Sequence, residues 1–282
     1  MPLTIKSVLV VGAGTMGSGI AALSALHGFR TVLVARDTDK ARARLETTIA
    51  KACSRMRDPE DPDDVSTPSV VVTDRIPDEC VDIVIECLPE DQEIKKTYLD
   101  RLSEVLSIGT VMTSNTSCLD PKKVLGGCDS HPCFGLHFFN PPTVMKLVEV
   151  APANPIARER LSDVITFCER LGRVPVVVPD SPGYVANRLI DALINRAARL
   201  VDELNVPAEV VDQCMLLGAN HPIGPLKLAD LIGIDVLVAN LGALYAVHDD
   251  DEYRPAESML RLLDAGRFGR KTGAGYYTYE KR

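Results

Sequence analysis

The chain has 282 residues, of which 46% are hydrophobic and 25% charged, and these values predict a globular protein of about two domains with a sizeable core. Its formal net charge is −8, with acidic and basic residues mixed along the chain, which argues against a nucleic acid partner because a phosphate backbone requires a concentrated basic surface. No apolar run reaches the roughly 18 residues needed to span a bilayer, which argues against a membrane protein.

Short β-branched runs alternate with helix-length amphipathic stretches in the first half of the chain. The runs that predict strands are SVLVV (7–11), TVLVA (31–35), SVVVT (69–73), VDIVIE (81–86), GTVMTS (109–114), VMKLVEV (144–150) and VPVVVP (174–179). Continuous apolar strands separated by helices are typical of a parallel sheet that is covered on both faces. Helices are predicted over 15–27 and from near Asp39, the second ending at an acidic, proline-rich surface loop, 57–68.

The pattern changes after the Ser181-Pro182-Gly183 turn, because no strand-like run follows until the very end of the chain. Residues 184–204 carry apolar side chains at spacings of three and four, which predicts a long amphipathic helix. Further helices are predicted at 207–217, 225–231, 234–247 and 256–264. We therefore predict an α/β fold with two domains: a doubly wound, mostly parallel Rossmann-like sheet over 1–182, and an all-α domain over 183–282.

The eight cysteines are spread along the chain without a C-x-x-C pair or a Cys/His cluster of zinc-site spacing. We expect reduced, mostly buried thiols and no bound metal. The N-terminal apolar stretch runs into glycines rather than into a small-residue cleavage site, so we expect mature structure there and a cytoplasmic protein.

The run GAGTMG (12–17) lies directly after the first predicted strand and opens the first predicted helix. In this position each glycine has a role: Gly12 allows the tight turn, Gly14 lets the backbone approach a pyrophosphate, and Gly17 lets the helix pack against the sheet. The helix N-terminus, with Thr15 and Met16 in its first turn, supplies unpaired N–H groups for the phosphates. These residues predict a dinucleotide site.

The end of the second predicted strand bears on which dinucleotide binds. An acidic residue there accepts the adenosine ribose hydroxyls and marks NAD, but the strand TVLVA ends in Ala35 and Arg36 follows. An arginine in place of the acid favours the 2′-phosphate of NADP. Asp37 serves the ribose instead if the strand runs two residues longer, and Arg36 is then a solvated surface residue. NADP is the prediction, with NAD as the alternative.

Several longer motifs tie the chain to a known family. They are SNTS (114–117), HFFNP (137–141) running on to MKLVEV (145–150), PGYVANR (182–188), GANHPIGP (218–225) and GRKTGAGYY (269–277). In their order and spacing they resemble the L-3-hydroxyacyl-CoA dehydrogenases, in the short stand-alone form that acts on 3-hydroxybutyryl-CoA. The resemblance implies a Rossmann domain, a helical dimerisation domain, a homodimer, and reversible oxidation of a 3-hydroxyacyl thioester with a nicotinamide cofactor.

His137 is the candidate base. Loss of hydride from C3 leaves a hydroxyl proton, and histidine is the side chain that usually accepts it near neutral pH. His137 is predicted just after a short apolar strand, and Glu149 lies twelve residues on, within a second apolar strand. A carboxylate at that place can orient the imidazole and stabilise the imidazolium, and the resemblance implies the same pairing. The alternative is a core histidine with an edge-strand glutamate.

The resemblance implies that Ser117 and Asn187 contact the substrate oxygen at C3 or the thioester carbonyl, where charge changes during the reaction. It also implies that Asn140 shapes the acyl pocket. The structural alternatives are a loop cap for Ser117, a helix-surface residue for Asn187 and an Asn-Pro turn for Asn140.

Glu90 and Lys95 stand where the family has a glutamate and a lysine near the cofactor, and Asn115 of the SNTS motif is a further candidate there. For Glu90 and Lys95 the alternative is an ordinary first-turn acid and an exposed lysine.

The chain departs from the family where the family carries a longer, lysine-bearing helical tail that binds coenzyme A. Here Lys51, Arg55 and Arg57 are the remaining candidates for phosphate contacts. This leaves open a thioester on the phosphopantetheine arm of an acyl carrier protein. A non-catalytic, crystallin-like structural protein predicts a broken cofactor loop or a missing base, and the sequence shows neither.

Overall fold

In the computed structural model, which describes residues 4–56, 68–77 and 80–280, the chain divides into two units, residues 1–181 and 182–282. Most of the predicted acidic loop, including Arg57, lies outside the described residues.

Eight strands of the first unit form one sheet in the order β3-β2-β1-β4-β5-β6-β7-β8. Their bounds are β1 Ser7–Val11, β2 Arg30–Val34, β3 Val70–Thr73, β4 Ile83–Glu86, β5 Val111–Ser114, β6 Cys133–Phe138, β7 Leu147–Pro152 and β8 Val174–Val177. All neighbouring strands are parallel except β6 and β7, which are antiparallel. The mostly parallel sheet predicted from the apolar runs is confirmed.

Helices cover both faces of this sheet. In chain order they are α1 Thr15–Leu26, α2 Thr38–Met56, α3 Gln92–Val105, α4 Pro121–Val124, α5 Pro155–Glu159 and α6 Leu161–Arg170. Successive strand side chains point to opposite faces, so β1 contributes Val8 and Val10 to the core under α1 and α6, and Leu9 and Val11 to the core under α3. This alternation of burial on two faces explains why the strands read as continuous apolar runs.

The strand order reverses direction between β1 and β4. The chain moves outward from β1 through β2 to β3, then returns to β4 on the other side of β1 and continues through β5. The first crossover helices lie over one face and α3 over the other. In a doubly wound sheet, ligands bind in the crevice at the carboxyl ends of the strands at this reversal, which here means after Val11 and Glu86.

The second unit consists of helices around its own core. They are α7 Ala186–Leu204, α8 Ala208–Gly218, α9 Pro225–Ile232, α10 Ile234–His248 and α11 Glu257–Asp264, with short 3₁₀ turns after α10 and near the C-terminus. Its described residues contain no strand, only isolated bridges within 269–278. In the described part of the chain no single helix is long and apolar enough to cross a membrane, and the pair α9 and α10, which passes that test together, is bent by 98°.

The C-terminal segment is held by two buried carboxylates, Asp230 of α9 and Asp212 of α8. Asp230 accepts hydrogen bonds from the backbone N–H groups of Tyr276 and Tyr277 at 2.9 and 2.8 Å. Asp212 accepts the hydroxyl hydrogen bond of Tyr277 at 2.7 Å.

The prediction that His137 follows its strand is wrong, because the residue lies inside β6, one place before its end. The reason is the antiparallel partner β7, which extends the ladder across the histidine and pairs His137 with Glu149.

Candidate active site

The glycine loop after β1 has the shape that a dinucleotide phosphate requires. Gly12 has a φ of +98°, and a Cβ there would meet the carbonyl oxygen of Cys87 at 2.6 Å. A Cβ on Gly17 would clash with the carbonyl of Gly12, so both positions need glycine. A Cβ on Gly14 would meet nothing within 4 Å, which leaves its outer side open to a ligand.

The N-terminus of α1, which follows this loop, offers its backbone donors without competition. The helix has no side-chain cap and no acidic residue in its first turn. Thr15 is exposed, and Met16 is half-buried against the core. The open donors and the helix dipole suit an anion, so the loop and helix together fit the pyrophosphate of a dinucleotide.

The segment after β2 begins with Ala35 and Arg36, and its first acidic residue is Asp37. Ala35 is 8% exposed and its N–H is bonded to the carbonyl of Thr73, so it offers no side-chain acceptor. Arg36 is exposed. Asp37 caps α2, because its Oδ1 accepts the N–H of Lys40 at 3.0 Å.

His137 and Glu149 form a buried pair on adjacent antiparallel strands. The two residues are register partners, and His137 Nδ1 lies 2.9 Å from Glu149 Oε2. Their side chains are 5% and 2% exposed, and the Phe139 ring lies 4.5 Å from the imidazole, centroid to centroid. An ionised carboxylate only accepts hydrogen bonds, so Nδ1 carries the proton and Nε2 is the nitrogen that can accept one. The structure brings this predicted pair together in the geometry of an oriented general base.

A second buried cluster lies at the ends of β4 and β5. Lys95 is 1% exposed, and its Nζ lies 2.9 and 3.1 Å from the two carboxylate oxygens of Glu86, 3.1 Å from the carbonyl of Leu88, and 3.3 Å from Glu90 Oε2. Glu86 also accepts the hydroxyl hydrogen bond of Ser114 at 2.6 Å. The alternative of an exposed lysine at position 95 is therefore wrong, because the two glutamates provide acceptors that make its burial tolerable.

The charged forms of Lys95 and Glu90 are favoured where these two side chains meet, whereas burial raises the pKa of Glu86 above its ordinary value. Burial acts against a charged lysine, but Glu86 and Glu90 outweigh it and raise the pKa of Lys95 above its ordinary value. Burial also acts against a charged Glu90, but Lys95 and the hydrogen-bond donors around it lower the pKa of Glu90 below its ordinary value. Lys95 and Glu90 are therefore an ion pair at neutral pH.

Glu90 also holds the loop that follows β5. Its Oε1 accepts hydrogen bonds from Thr116 Oγ1, from the N–H of Ser117 and from the N–H of Cys118 at 2.5, 2.8 and 3.1 Å. Asn115 connects the same loop to β6, because its Oδ1 accepts the N–H of Phe138 at 2.8 Å. The predicted residues Glu90, Asn115 and Ser117 thus lie together at the carboxyl edge of the sheet.

A pocket of about 650 Å³ lies beside α2 in the first unit. Four cations on one face of that helix line it: Lys40, Arg44, Lys51 and Arg55. The lining also includes Thr15 and residues 140–143, and no acidic residue is found among the described lining residues. The structure therefore places Lys51 and the exposed Asn140 at one cationic pocket.

Family profiles match both parts of the chain. Residues 7–181 match the 3-hydroxyacyl-CoA dehydrogenase NAD-binding domain, and residues 183–279 match the C-terminal domain of the same enzymes. The chain belongs to the 3-hydroxyacyl-CoA dehydrogenase family. It is therefore an oxidoreductase that uses a nicotinamide cofactor and interconverts 3-hydroxyacyl-CoA and 3-oxoacyl-CoA, and the resemblance inferred from the motifs is confirmed.

Relatives in this dehydrogenase family span nearly the whole chain. A probable 3-hydroxybutyryl-CoA dehydrogenase of Bacillus subtilis is 35% identical over 99% of both chains. The mitochondrial hydroxyacyl-coenzyme A dehydrogenase of Sus scrofa is 31% identical over 99% of this chain and 92% of its own. The crystal structure of (S)-3-hydroxybutyryl-CoA dehydrogenase from Ralstonia eutropha is 35% identical, covers 99% of this chain and 100% of its own, and superposes with a TM-score of 0.88.

Asn187 lies in the second unit of this dehydrogenase, in the first turn of α7, where it is half-buried. Its contact with substrate stays a prediction.

Glu86 is the site residue that sequence reasoning left out of the candidate set. It ends the buried run IVIE and is 0% exposed, a place where a carboxylate requires a partner. The same signal singled out Glu149, and applied to β4 it would have found Glu86.

Proposed function

We propose that this member of the family acts on short acyl chains of the 3-hydroxybutyryl-CoA type, with His137 as the general base and Glu149 as its orienting partner. The observation that carries the assignment of roles is the buried 2.9 Å contact between the two side chains. The relatives from Bacillus subtilis and Ralstonia eutropha, both named for 3-hydroxybutyryl-CoA, support the short acyl chain.

The proposed residue roles follow from the geometry of the pair. In the oxidation direction, His137 Nε2 accepts the proton of the C3 hydroxyl. Glu149 holds the Nδ1–H group and stabilises the imidazolium that forms. Ser117 and Asn187 donate hydrogen bonds to the C3 oxygen or the thioester carbonyl. When bound, the nicotinamide supplies the hydride acceptor.

The proposed nucleotide site comprises the glycine loop, the first turn of α1 with Thr15 and Met16, and the residues that follow β2. We propose NADP as the preferred nucleotide. Ala35 has no oxygen for the ribose hydroxyls and no charge to repel a 2′-phosphate, and the exposed Arg36 can pair with that phosphate. Asp37, the residue that favours NAD, is engaged in capping α2.

We propose that Glu90, Lys95 and Asn115 lie at the edge of the site, near the nicotinamide. Lys95 is enclosed by protein acceptors, so its influence on the cofactor is through Glu90 rather than by direct contact.

The pocket beside α2 supports coenzyme A as the thioester carrier. Its four cations suit the phosphates of the coenzyme A nucleotide, so Lys51 is the proposed phosphate contact and Asn140 the proposed wall of the acyl channel. No relative reported above is named for a carrier protein or for a lens protein. The carrier-protein and structural alternatives are therefore not supported.

The helical unit is proposed to form a homodimer, with the domain boundary near residue 182. Val185, Leu189 and Leu193, spaced four residues apart at the start of α7, are 43%, 67% and 37% exposed in the single chain. An exposed apolar stripe on a helix favours packing against a second copy. A cytoplasmic location stays a prediction.

The direct test is turnover of acetoacetyl-CoA, followed by nucleotide absorbance with NADH and NADPH in parallel. We expect oxidation of at least one nucleotide and a decline in kcat/KM as the acyl chain lengthens. Absence of turnover with both nucleotides on every short acyl chain contradicts the proposal.

A further inference from the structure

Three hydrogen-bond donors of the loop that carries Ser117 converge on a single carboxylate oxygen. Thr116 Oγ1, Ser117 N and Cys118 N all donate to Glu90 Oε1, at 2.5, 2.8 and 3.1 Å. Two of these donors are backbone groups, so the path of the chain through Ser117 follows the position of the Glu90 side chain. A displaced Glu90 therefore displaces the Ser117 hydroxyl.

Glu90 does not hold this position alone. Its side chain is 39% exposed, which would let an unrestrained carboxylate turn towards water. Lys95 Nζ, which is 3.3 Å from Glu90 Oε2, opposes that movement from a side chain that is 1% exposed. The loop is therefore anchored on a buried cation through one intervening carboxylate.

Glu86 in turn fixes the position of the Lys95 ammonium group. Glu86 lies at the carboxyl end of β4, opposite Val11 of β1 and Ser114 of β5, at the reversal of strand order. Both of its oxygens contact Lys95 Nζ, which also contacts the carbonyl of Leu88. An ammonium has three N–H donors, and these acceptors together with Glu90 occupy them.

We propose that Lys95 is a positioning residue for the reaction, acting from Glu86 through Glu90 on the loop that presents Ser117. This rests on the proposed function, which assigns Ser117 to a substrate oxygen. A misplacement of about 1 Å in a reacting geometry lowers rates by about a hundredfold, so a side chain two contacts away from substrate can control turnover.

The kinetic test compares Lys95→Met with Lys96→Met, each alone and with Ser117→Ala. Lys96 is the matched control, because it is the next residue of α3 and pairs with Asp100 on the partly exposed side of the helix, with its side chain 37% exposed. In the otherwise unchanged protein, Lys95→Met is expected to lower kcat/KM for acetoacetyl-CoA by about tenfold to a hundredfold, and Lys96→Met to leave it unchanged. In the Ser117→Ala background, Lys95→Met is expected to add less than about a twofold loss, since residues that act as a unit are not additive.

A second readout does not use activity. Amide hydrogen exchange at Ser117 and Cys118, the two backbone donors to Glu90, is expected to rise about tenfold in Lys95→Met and to stay unchanged in Lys96→Met. Because Lys95→Met leaves the buried Glu86 carboxyl group without its ammonium partner, Glu86→Gln/Lys95→Met is made in parallel. The double variant removes both ionisable groups of the pair, and it is used for the same measurements if the single variant does not fold.

The outcomes separate the two proposals. Equal fold losses in the two backgrounds, unchanged turnover in Lys95→Met, or unchanged exchange at Ser117 and Cys118 overturns the positioning role. A wild-type protein with no turnover of any short 3-oxoacyl-CoA overturns the proposed function instead, and the exchange rates still decide whether Lys95 holds the loop.

Discussion

His137 and Glu149 gain their chemistry from being neighbours rather than from either residue alone. A buried imidazole can be a packed core residue, and a buried carboxylate requires compensation wherever it stands. The 2.9 Å contact places Glu149 at Nδ1 of His137, so the proposed role of general base falls to Nε2.

The first prediction concerns the base. His137→Gln is expected to lower kcat by roughly 10²–10⁴, because the residue acts only in the chemical step, and to leave nucleotide affinity within about twofold. Steady-state kinetics and nucleotide titration by fluorescence check both parts. A comparable loss of nucleotide binding would show that the histidine is structural.

Glu149→Gln tests the orienting partner. A neutral amide stabilises the imidazolium less than a carboxylate does, so transfer of the C3 hydroxyl proton to His137 becomes less favourable. For oxidation of 3-hydroxybutyryl-CoA, kcat is expected to fall by about tenfold or more, with nucleotide affinity within about twofold of wild type. An unchanged kcat would contradict the pairing.

Asp191 of α7 yields a prediction on stability. Burial raises its pKa to about 7, with one amide hydrogen bond from Asn240 as the opposing contribution. A folded-state pKa above the unfolded value of 3.8 means that the group favours folding at low pH, and that this stability is lost as pH rises from about 4 to about 7. At 1.36 kcal/mol per pH unit, the loss is up to roughly 4 kcal/mol.

Asp191→Asn removes this dependence. The variant is expected to be more stable than wild type at pH 8 and no more stable at pH 4, as measured by thermal unfolding at both values. Equal stability of the two proteins across this range would show that Asp191 stays charged at no cost.

At the scale of elements, the proposed preference for NADP rests on the junction of β2 with α2. Arg36→Ala is expected to lower kcat/KM for NADPH by about tenfold to a hundredfold, because a charge-assisted contact of about 1.5–3 kcal/mol is lost, and to leave NADH unchanged. Arg158→Ala is the control, since Arg158 is exposed on α5, which packs against β6 and β7 rather than against β2. If wild type prefers NADH by tenfold in kcat/KM and Arg36→Ala changes neither nucleotide's kcat/KM, Asp37 rather than Arg36 contacts the adenosine ribose.

The elements themselves are largely predictable because their signals are local. Apolar runs of β-branched residues place seven of the strands near their observed bounds, and apolar residues spaced three and four apart indicate the long helix α7. The positions that could not be predicted from the sequence depend on contacts between different elements of the fold. His137 lies inside β6 because β7 extends the ladder, and Lys95 is buried because Glu86, nine residues earlier, compensates it.

The candidate site likewise combines a feature that a local sequence pattern predicts with a contact that it does not predict. The glycine loop is readable because a turn with positive φ and two close backbone approaches permit only glycine. Glu90 and Ser117, whose N–H donates to the carboxylate, are 27 residues apart in sequence and are brought together by the parallel pairing of β4 with β5. No local sequence pattern predicts this contact.

At the scale of the whole molecule, the helical unit leaves an apolar stripe at the start of α7. Leu189 is 67% exposed and lies one turn from both Val185 and Leu193. If a second copy covers this stripe, a charge at its centre must be buried without a partner, and the dimer is lost. Leu189→Glu is therefore expected to convert a wild-type homodimer into a monomer, with far-UV circular dichroism unchanged because the position is solvent-facing in the single chain.

Ile108→Glu provides the matched control for that experiment. Ile108 is 84% exposed and belongs to the first unit rather than to the helical unit that we assign to dimerisation, so the same substitution there is expected to leave the dimer intact. Multi-angle light scattering of the three proteins over a range of concentrations distinguishes the outcomes. A monomeric wild type, or a Leu189→Glu variant that stays dimeric, would show that α7 does not form the dimer contact. Dissociation by both substitutions would point instead to general destabilisation by an added charge.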